Sequence, residues 1–140
     1  MQNIVLFVQG HILISSILLG VLGLLIVVEW IKLKRSSNQL TPALVIERLN
    51  HDNAVVIDIR SKELFDKGHI IGAFSLPTVN DDSIKKLSAF KTRLLIITDS
   101  RGIDSARAAE TILHAGFKAA ILAGGMQAWK EAGMPVTTLT

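Results

Sequence analysis

An uninterrupted apolar run near the N-terminus limits what this chain of 140 residues can fold into. Between Ile12 and Val28, 13 of the 17 residues are Ile, Leu or Val, the others are Ser or Gly, and none is charged. With Trp30 and Ile31 the run reaches 20 residues, which at about 1.5 Å per residue crosses a hydrocarbon core of about 30 Å. Its aliphatic side chains contribute roughly −4 to −8 kcal/mol of insertion free energy. We therefore predict a single transmembrane helix.

Charges beside this run predict its orientation in the membrane. Residues 1–11 contain no Lys or Arg, and no Ala-x-Ala site follows the run, which disfavours a cleaved signal peptide. Lys32, Lys34 and Arg35 lie on the other side. By the positive-inside rule they keep the C-terminal part in the cytoplasm and export the N-terminus. We expect residues 1–35 to form an anchor with a basic cytoplasmic flank, whose partner is the lipid bilayer.

The rest of the chain has the composition of one small domain with balanced charges. Residues 36–140 carry twelve basic and eleven acidic residues, so most of the net charge of +3 belongs to the anchor. This balance gives no reason to propose nucleic acid as a partner. The chain contains no cysteine, so a thiol nucleophile is excluded. We predict a linker over 36–40 and one domain over 41–140.

Helical and strand patterns alternate along this domain. Thr41 followed by Pro42 predicts a helix start, and the apolar run Ala54–Asp58 is typical of a parallel strand covered on both faces. Helices are predicted over 43–50, 81–90, 104–115 and 126–132, and strands over 54–58, 73–76, 94–98 and 118–122. The pattern predicts an α/β domain with a mostly parallel sheet flanked by helices.

The loop between the strand 94–98 and the next helix is the candidate site. Backbone N–H groups and a helix N-terminus meet at such a position, as they do in anion-binding loops. Asp99 either accepts hydrogen bonds from amides of its own loop or recognises a Lys, Arg or amide group of a partner, and Asp104 either caps a helix that begins at Ser105 or lines the cradle. The loop consists of Asp99, Ser100, Arg101, Gly102, Ile103 and Asp104, and the candidate binding residues are Asp99, Arg101 and Asp104.

Other polar residues favour structural roles. The four His show no metal-ligand spacing, so neither a metal nor a cofactor is predicted. Asp58 and Arg60 are expected to form a structural ion pair, and His51 and His114 lie where helices are predicted to end, which suits the helix dipole. The sequence leaves the oligomeric state open.

Three ordered motifs between Leu40 and Pro135 resemble those of the rhodanese-like domains. The resemblance rests on the Asp-x-Arg segment 56–60, the Gly-His-Ile to Pro segment 67–77, and the Gly-Gly to Ala-Trp segment 124–129 followed by Gly-x-Pro. It implies that His69, within Gly-His-Ile, supports the fold. These motifs bracket the candidate loop at the spacing typical of the family.

The resemblance also implies that this domain does not transfer sulfur. In active rhodaneses the first loop residue is the cysteine that accepts the sulfur atom, and here that position is Asp99, which cannot form a persulfide. The sixth position, often Arg in members that turn over thiosulfate, is Asp104. Each carboxylate repels an anion by roughly 4 kcal/mol at 4 Å in an effective dielectric near 20. Thiosulfate sulfurtransferase activity is therefore not expected.

An anchor followed by one such domain resembles the YibN-like single-span membrane proteins of bacteria, some of which lack the loop cysteine. This resemblance implies a bacterial inner-membrane protein with a cytoplasmic domain. Our first hypothesis is a catalytically inactive interaction or scaffolding module for a membrane protein, such as the protein insertion or translocation machinery. The alternatives are an enzyme of altered chemistry, in which Asp99 or Ser100 attacks a phosphoryl or acyl group, and a small-anion sensor based on Arg101.

Overall fold

The computed structural model describes residues 11–36 and 38–138, and the chain divides into two compact units, Met1–Ser37 and Asn38–Thr140. The segment that we predict to be exported, and the side chains of the basic flank, lie outside the described residues.

The first unit is one long helix, α1 (Ile12–Ser36). Its first 20 residues, Ile12–Ile31, are long and apolar enough to cross a membrane, and none of them is buried by the rest of the described chain. Leu13, Leu19 and Trp30 are each at least 64% exposed. A helix that is apolar on every side is stable in the hydrocarbon of a membrane or in the core of a large protein. The structure therefore shows a helix with the length and composition that a transmembrane helix requires, at the predicted position.

The second unit is built on a five-stranded sheet in which every pair of neighbours is parallel. The strands lie in the order β1-β5-β4-β2-β3. Their bounds are β1 (Gln39–Leu40), β2 (Val55–Asp58), β3 (Phe74–Ser75), β4 (Leu94–Thr98) and β5 (Lys118–Leu122). The helices are α2 (Pro42–His51), α3 (Lys62–Lys67), α4 (Asp81–Lys85), α5 (Asp104–His114) and α6 (Gly125–Glu131), and a 3-10 helix, Lys86–Phe90, follows α4. The predicted α/β architecture is confirmed.

The sheet carries a hydrophobic core on each face. On one face Ile57 and Ile97 pack with Ile112 of α5. On the other face Val56 and Ile96 belong to a second cluster, whose helical members are Val45 of α2 and Met126 and Trp129 of α6. Successive strand residues point to opposite faces. This two-sided burial explains why β2 and β4 show continuous apolar sequences rather than alternating ones.

Gln39 and Leu40 correct one prediction. The sequence places them in a linker over 36–40, whereas the structure pairs them as β1 with β5. The Ile121 N–H donates to the Asn38 carbonyl (2.8 Å), and the Ala123 N–H donates to the Leu40 carbonyl (2.9 Å). A strand of two residues shows no hydrophobic period, so its sequence gives no signal by which to recognise it.

Two helical segments also differ from the prediction. The helix predicted over 81–90 begins as α4, with a capping box between Asn80 and Ser83, and tightens into the 3-10 helix after Lys85. The six-residue helix α3 was not predicted, because it is shorter than two turns and has one buried side chain, Phe65. Periodicity is informative only over longer windows.

Candidate functional site

The loop Asp99–Asp104 lies at the edge of the sheet where the parallel strands end. It joins the C-terminal end of β4 to the N-terminus of α5. The first turn of α6, which follows β5, is hydrogen-bonded to the loop. The Met126 N–H donates to the Asp99 carbonyl (2.8 Å), and the Gln127 N–H donates to the Ser100 carbonyl (3.0 Å). In open parallel sheets, ligands bind outside the carboxyl ends of the strands. The loop therefore occupies the position where a site is expected.

The Asp99 carboxylate lies inside its own loop. Asp99 as a whole is only 5% exposed. One carboxylate oxygen accepts a short hydrogen bond from the Gly102 N–H, and the other accepts from the Asp104 N–H at 2.7 Å. These are backbone donors at the N-terminus of α5, where a negative charge is stabilised by the helix dipole. Asp99 thus supplies from within the chain the anion that these donors favour.

The structure corrects the role predicted for Asp104. Of the two roles offered for Asp104, the cap of a helix beginning at Ser105 is wrong, because α5 begins at Asp104 itself, as the predicted range 104–115 has it. The residue at the cap position, Ile103, has a helical backbone and makes no side-chain cap hydrogen bond. The free N–H of Asp104 is satisfied instead by Asp99, five residues earlier. The loop folds back so that the Asp99 carboxylate lies next to the Asp104 N–H. The spacing of the two residues in the sequence does not predict this contact.

Two glycines allow the loop to pack directly on the turn before α6. A Cβ added at Gly125 would lie 2.6 Å from the Asp99 carbonyl oxygen, and one at Gly102 would lie 2.9 Å from the Gly124 nitrogen. Both glycines also have positive φ angles, +59° and +84°. Any side chain at Gly125 would have to push the loop away. In the sequence, the adjacent glycines Gly124 and Gly125 are the signal for this close approach.

The outer surface of the loop is exposed. Ser100, Arg101 and Asp104 are exposed, and Ile103 is 72% exposed. Within the described part of the chain, the side chains of Arg101 and Asp104 make no hydrogen bond or ion pair. Of the three candidate binding residues, two therefore face solvent with their charges uncompensated, while the third, Asp99, is buried beneath them.

This arrangement limits the chemistry that the loop supports. A small anion could use the amides of Gly102 and Asp104 only by displacing the Asp99 carboxylate. Among the described residues there is no group of three or more His, Cys, Asp or Glu side chains able to hold a metal ion. Ser105, fully buried at the second position of α5, has a hydroxyl without a hydrogen-bond partner in the described structure. Among the described residues, neither its hydroxyl nor that of Ser100 is hydrogen-bonded to a base.

Asp58 and Arg60 form the structural ion pair that the sequence suggests, at the C-terminal end of β2. The Arg60 guanidinium donates from Nε to one carboxylate oxygen (2.9 Å) and from Nη2 to the other (2.6 Å). The Arg60 side chain also donates to the Gly68 carbonyl at 2.8 Å. Asp58 is fully buried and Arg60 is 8% exposed. The pair thus ties β2 to the segment that follows α3.

His69 has a structural role and lies outside the loop Asp99–Asp104. Its ring stacks on Phe65 at a centroid distance of 3.8 Å, and its Nδ1 lies 2.8 Å from the Phe65 carbonyl oxygen. Its backbone pairs with Thr137 in both directions, at 2.9 and 2.8 Å. His69 therefore secures the C-terminal segment to the Gly-His-Ile segment.

Comparison with known proteins places this site in a family. The model of the rhodanese-like domain matches residues 41–132. The chain is 27% identical over 139 residues to the uncharacterized protein YibN of Escherichia coli K12, with 97% of each chain covered. It is 36% identical over 80 residues to the thiosulfate sulfurtransferase GlpE of Shewanella oneidensis, covering 55% of this chain and 76% of the relative.

The fold comparison agrees with the sequence comparison. The crystal structure of the BH2092 protein from Bacillus halodurans superposes with a TM-score of 0.66 at 23% identity, covering 80% of this chain and 85% of that one. The three motifs, the parallel sheet and the loop after β4 correspond to the expectations that the resemblance raised, and the cysteine is absent from the chain. The chain belongs to the rhodanese-like domain family.

Proposed function

We propose that the protein is a catalytically inactive rhodanese-like domain, held by α1 at the cytoplasmic face of the bacterial inner membrane, that acts as an interaction or scaffolding module for a membrane protein. The observation that carries this proposal is the state of the loop: Asp99 stands at the position of the sulfur-accepting cysteine, and its carboxylate is bonded to the loop amides. A loop closed in this way keeps its shape without a ligand. Its exposed surface is then available for protein contacts.

The contact surface that we propose is the outer side of the loop. Arg101 and Asp104 present uncompensated charges of opposite sign, with Ile103 exposed between them. Charged and apolar groups side by side are typical of the polar rim and anchor residues of protein interfaces. Asp99 belongs to this site as a positioning residue, because it holds the backbone from which the three side chains project.

Anchoring favours such a role through effective concentration. One residue, Ser37, separates the last residue of α1 from the first residue of the domain unit. A domain held this close to a bilayer meets membrane proteins at a much higher local concentration than a free domain does. Modest contacts at the loop then suffice for stable association. We propose the protein insertion or translocation machinery as the first partner to test, because it lies in the same membrane.

The enzyme alternative has weaker support. A nucleophilic Asp99 would have to release two backbone donors and reach solvent from a position that is 5% exposed. Ser100 is exposed, and its hydroxyl is hydrogen-bonded to no base among the described residues that would activate it. A small-anion sensor meets the same obstacle, since Asp99 occupies the amides that would bind the anion. Sulfur transfer from thiosulfate to cyanide by the full chain would nevertheless contradict the proposal.

The proposal is tested by quantitative crosslinking and co-purification from native membranes. The intact chain is compared with a variant whose residues 1–35 are replaced by an unrelated spanning helix of equal length. We expect the same membrane protein to be enriched with both chains, since recognition is assigned to the domain. A second variant, Arg101→Ala with Asp104→Ala, is expected to lose the partner while remaining in the membrane.

Two outcomes would count against the proposal. A partner retained by the native anchor and lost on the swap would make α1 the interaction surface. The second outcome is that neither chain enriches any membrane protein above the level found in membranes that lack the protein. The domain would then have no partner.

A further inference from the structure

The domain distributes its charges unevenly between the two ends of its sheet. Because all strands are parallel, the helices α2 to α5 run from the end of one strand back towards the start of the next, so their N-termini gather at one edge and their C-termini at the other. The first turns of α3, α4 and α5 carry acidic residues, and the last turns of all five domain helices carry basic ones, with Asp66 and Glu131 also present in the last turns of α3 and α6. The acidic residues are Glu63, Asp81, Asp82 and Asp104, and the basic ones are Arg48, His51, Lys67, Lys85, His114 and Lys130.

Helix dipoles account for charges within helices, but not for those that lie between them. Three short connections, 52–54, 91–93 and 115–117, lead into β2, β4 and β5; together with Lys118 we call them the strand-start edge. Lys91 and Arg93 precede β4, and Lys118 pairs with Leu94, the first residue of β4. Three basic residues are thus gathered at the start of the two neighbouring central strands.

Within the residues of the strand-start edge, the acidic charge is already compensated. Asp52 is the one carboxylate in the strand-start edge, and it forms an ion pair with Arg48, whose pKa it raises. Arg93 donates to the carbonyls of Asn53 (2.6 Å) and Ala54 (3.1 Å), so its positive charge has no carboxylate partner. Lys91 and Lys118 are exposed and make no hydrogen bond or ion pair with any other described residue. The edge therefore presents uncompensated positive charge to solvent.

The connectivity of the chain indicates which surface the positive charge of the strand-start edge faces. The domain is joined to α1 through the residues before β1, and β1 runs parallel to the other strands. The membrane connection therefore joins the sheet at the N-terminal end of a strand, as the three connections of the strand-start edge do. Anionic lipids of the cytoplasmic leaflet attract lysines and arginines that lie within a Debye length of the surface.

We propose that the strand-start edge, through Lys91, Arg93 and Lys118, docks on the anionic phospholipid headgroups of the membrane that holds α1. The inference rests on the membrane anchoring in the proposed function but not on the protein partner. It assigns the opposite edge of the sheet, with the loop Asp99–Asp104, to the side turned away from the bilayer. The exposed charges of Arg101 and Asp104 then remain open to a partner.

The absence of cysteine makes the test direct, because a single introduced cysteine is labelled uniquely. Thr92→Cys, on the strand-start edge, and Thr78→Cys, which follows β3 at the other edge, are both exposed. Each full-length chain is labelled with a fluorophore and placed in nanodiscs that carry a headgroup-attached quencher. The discs contain either phosphatidylcholine alone or phosphatidylcholine with phosphatidylglycerol.

We expect strong quenching at position 92 in discs with phosphatidylglycerol, little at position 78, and a smaller difference in phosphatidylcholine or in 0.5 M salt. Lys91→Gln with Lys118→Gln is expected to lower the docked-to-free ratio about 25-fold, since each lysine near an anionic leaflet contributes about a fivefold factor. The matched control, Lys62→Gln with Arg107→Gln, removes the same charge from exposed positions near the N-terminal ends of α3 and α5, at the opposite edge of the sheet. It is expected to leave the quenching at position 92 unchanged.

Several results would overturn this inference. Equal quenching at the two positions, quenching independent of phosphatidylglycerol, or equal effects of the two double variants would each do so. Millimolar inorganic phosphate that abolishes the difference at constant ionic strength would assign the edge to a free anion instead. Failure of the chain to co-elute with the discs would instead contradict the anchor, and with it the proposed function.

Discussion

Replacing Arg60 by Ala is expected to lower the free energy of unfolding of the domain by about 3–5 kcal/mol. The variant leaves the Asp58 carboxylate, which is fully buried, without its bidentate partner and removes the hydrogen bond to the Gly68 carbonyl. An unpaired buried charge is among the most destabilising changes in a protein core. The measurement is denaturant unfolding of the full chain in detergent micelles, followed by Trp129 fluorescence in a Trp30→Phe background.

The matched control is the exposed pair of Arg48 and Asp52. Its ion pair is as close as the buried one, but both side chains are more than 40% exposed. Arg48→Ala is expected to cost much less than Arg60→Ala, because solvent screens such pairs. Equal costs for Arg48→Ala and Arg60→Ala would show that the Asp58–Arg60 pair does not hold the β2 end of the sheet.

The second large effect is expected at Asp99. Asp99→Ala removes a buried carboxylate that accepts two backbone hydrogen bonds at the start of α5. We expect a loss of about 2–4 kcal/mol, since hydrogen bonds to charged groups and helix caps each contribute about 1–3 kcal/mol. Hydrogen exchange is expected to quicken at the amides of Gly102 and Asp104 ahead of the rest of the domain.

Asp104 supplies the control within the same loop. Its side chain is exposed and makes no hydrogen bond in the described structure, so Asp104→Ala is expected to cost about 0.5 kcal/mol, the size of a helix-dipole effect. The relative cost of the two substitutions distinguishes the cap seen in the structure, Asp99, from the cap suggested by the sequence, Asp104. A larger loss for Asp104→Ala than for Asp99→Ala would restore Asp104 as the cap and contradict the closed loop.

Much of the fold follows from the sequence for a physical reason. The strands β2 and β4 are buried on both faces, so their residues are continuously apolar and stand out from helical patterns. Thr41 caps α2 as predicted, with the Leu44 N–H donating to its hydroxyl at 3.4 Å. The apolar run of α1 is equally plain, because a spanning helix tolerates few polar residues.

What the sequence does not predict depends on contacts between distant segments. Gln39 and Leu40 become a strand only because β5, about eighty residues later, offers backbone partners. Asp99 caps α5 because Gly125 lets the loop settle on the start of α6. Lys91 and Lys118 look like isolated charges in the sequence, and only the register of β4 and β5 brings their segments together.

Site-directed photocrosslinking from the loop tests the central claim most directly. A photoreactive residue replaces Ser100, which is exposed beside Arg101, and in a second chain it replaces Ser88, which is exposed in the 3-10 helix. Both full-length chains are irradiated in native membranes at equal abundance. The account predicts one membrane protein crosslinked from position 100 and absent from position 88, and lost when Arg101→Ala and Asp104→Ala are added. Crosslinks that are identical at both positions, or none above background at position 100, would contradict it.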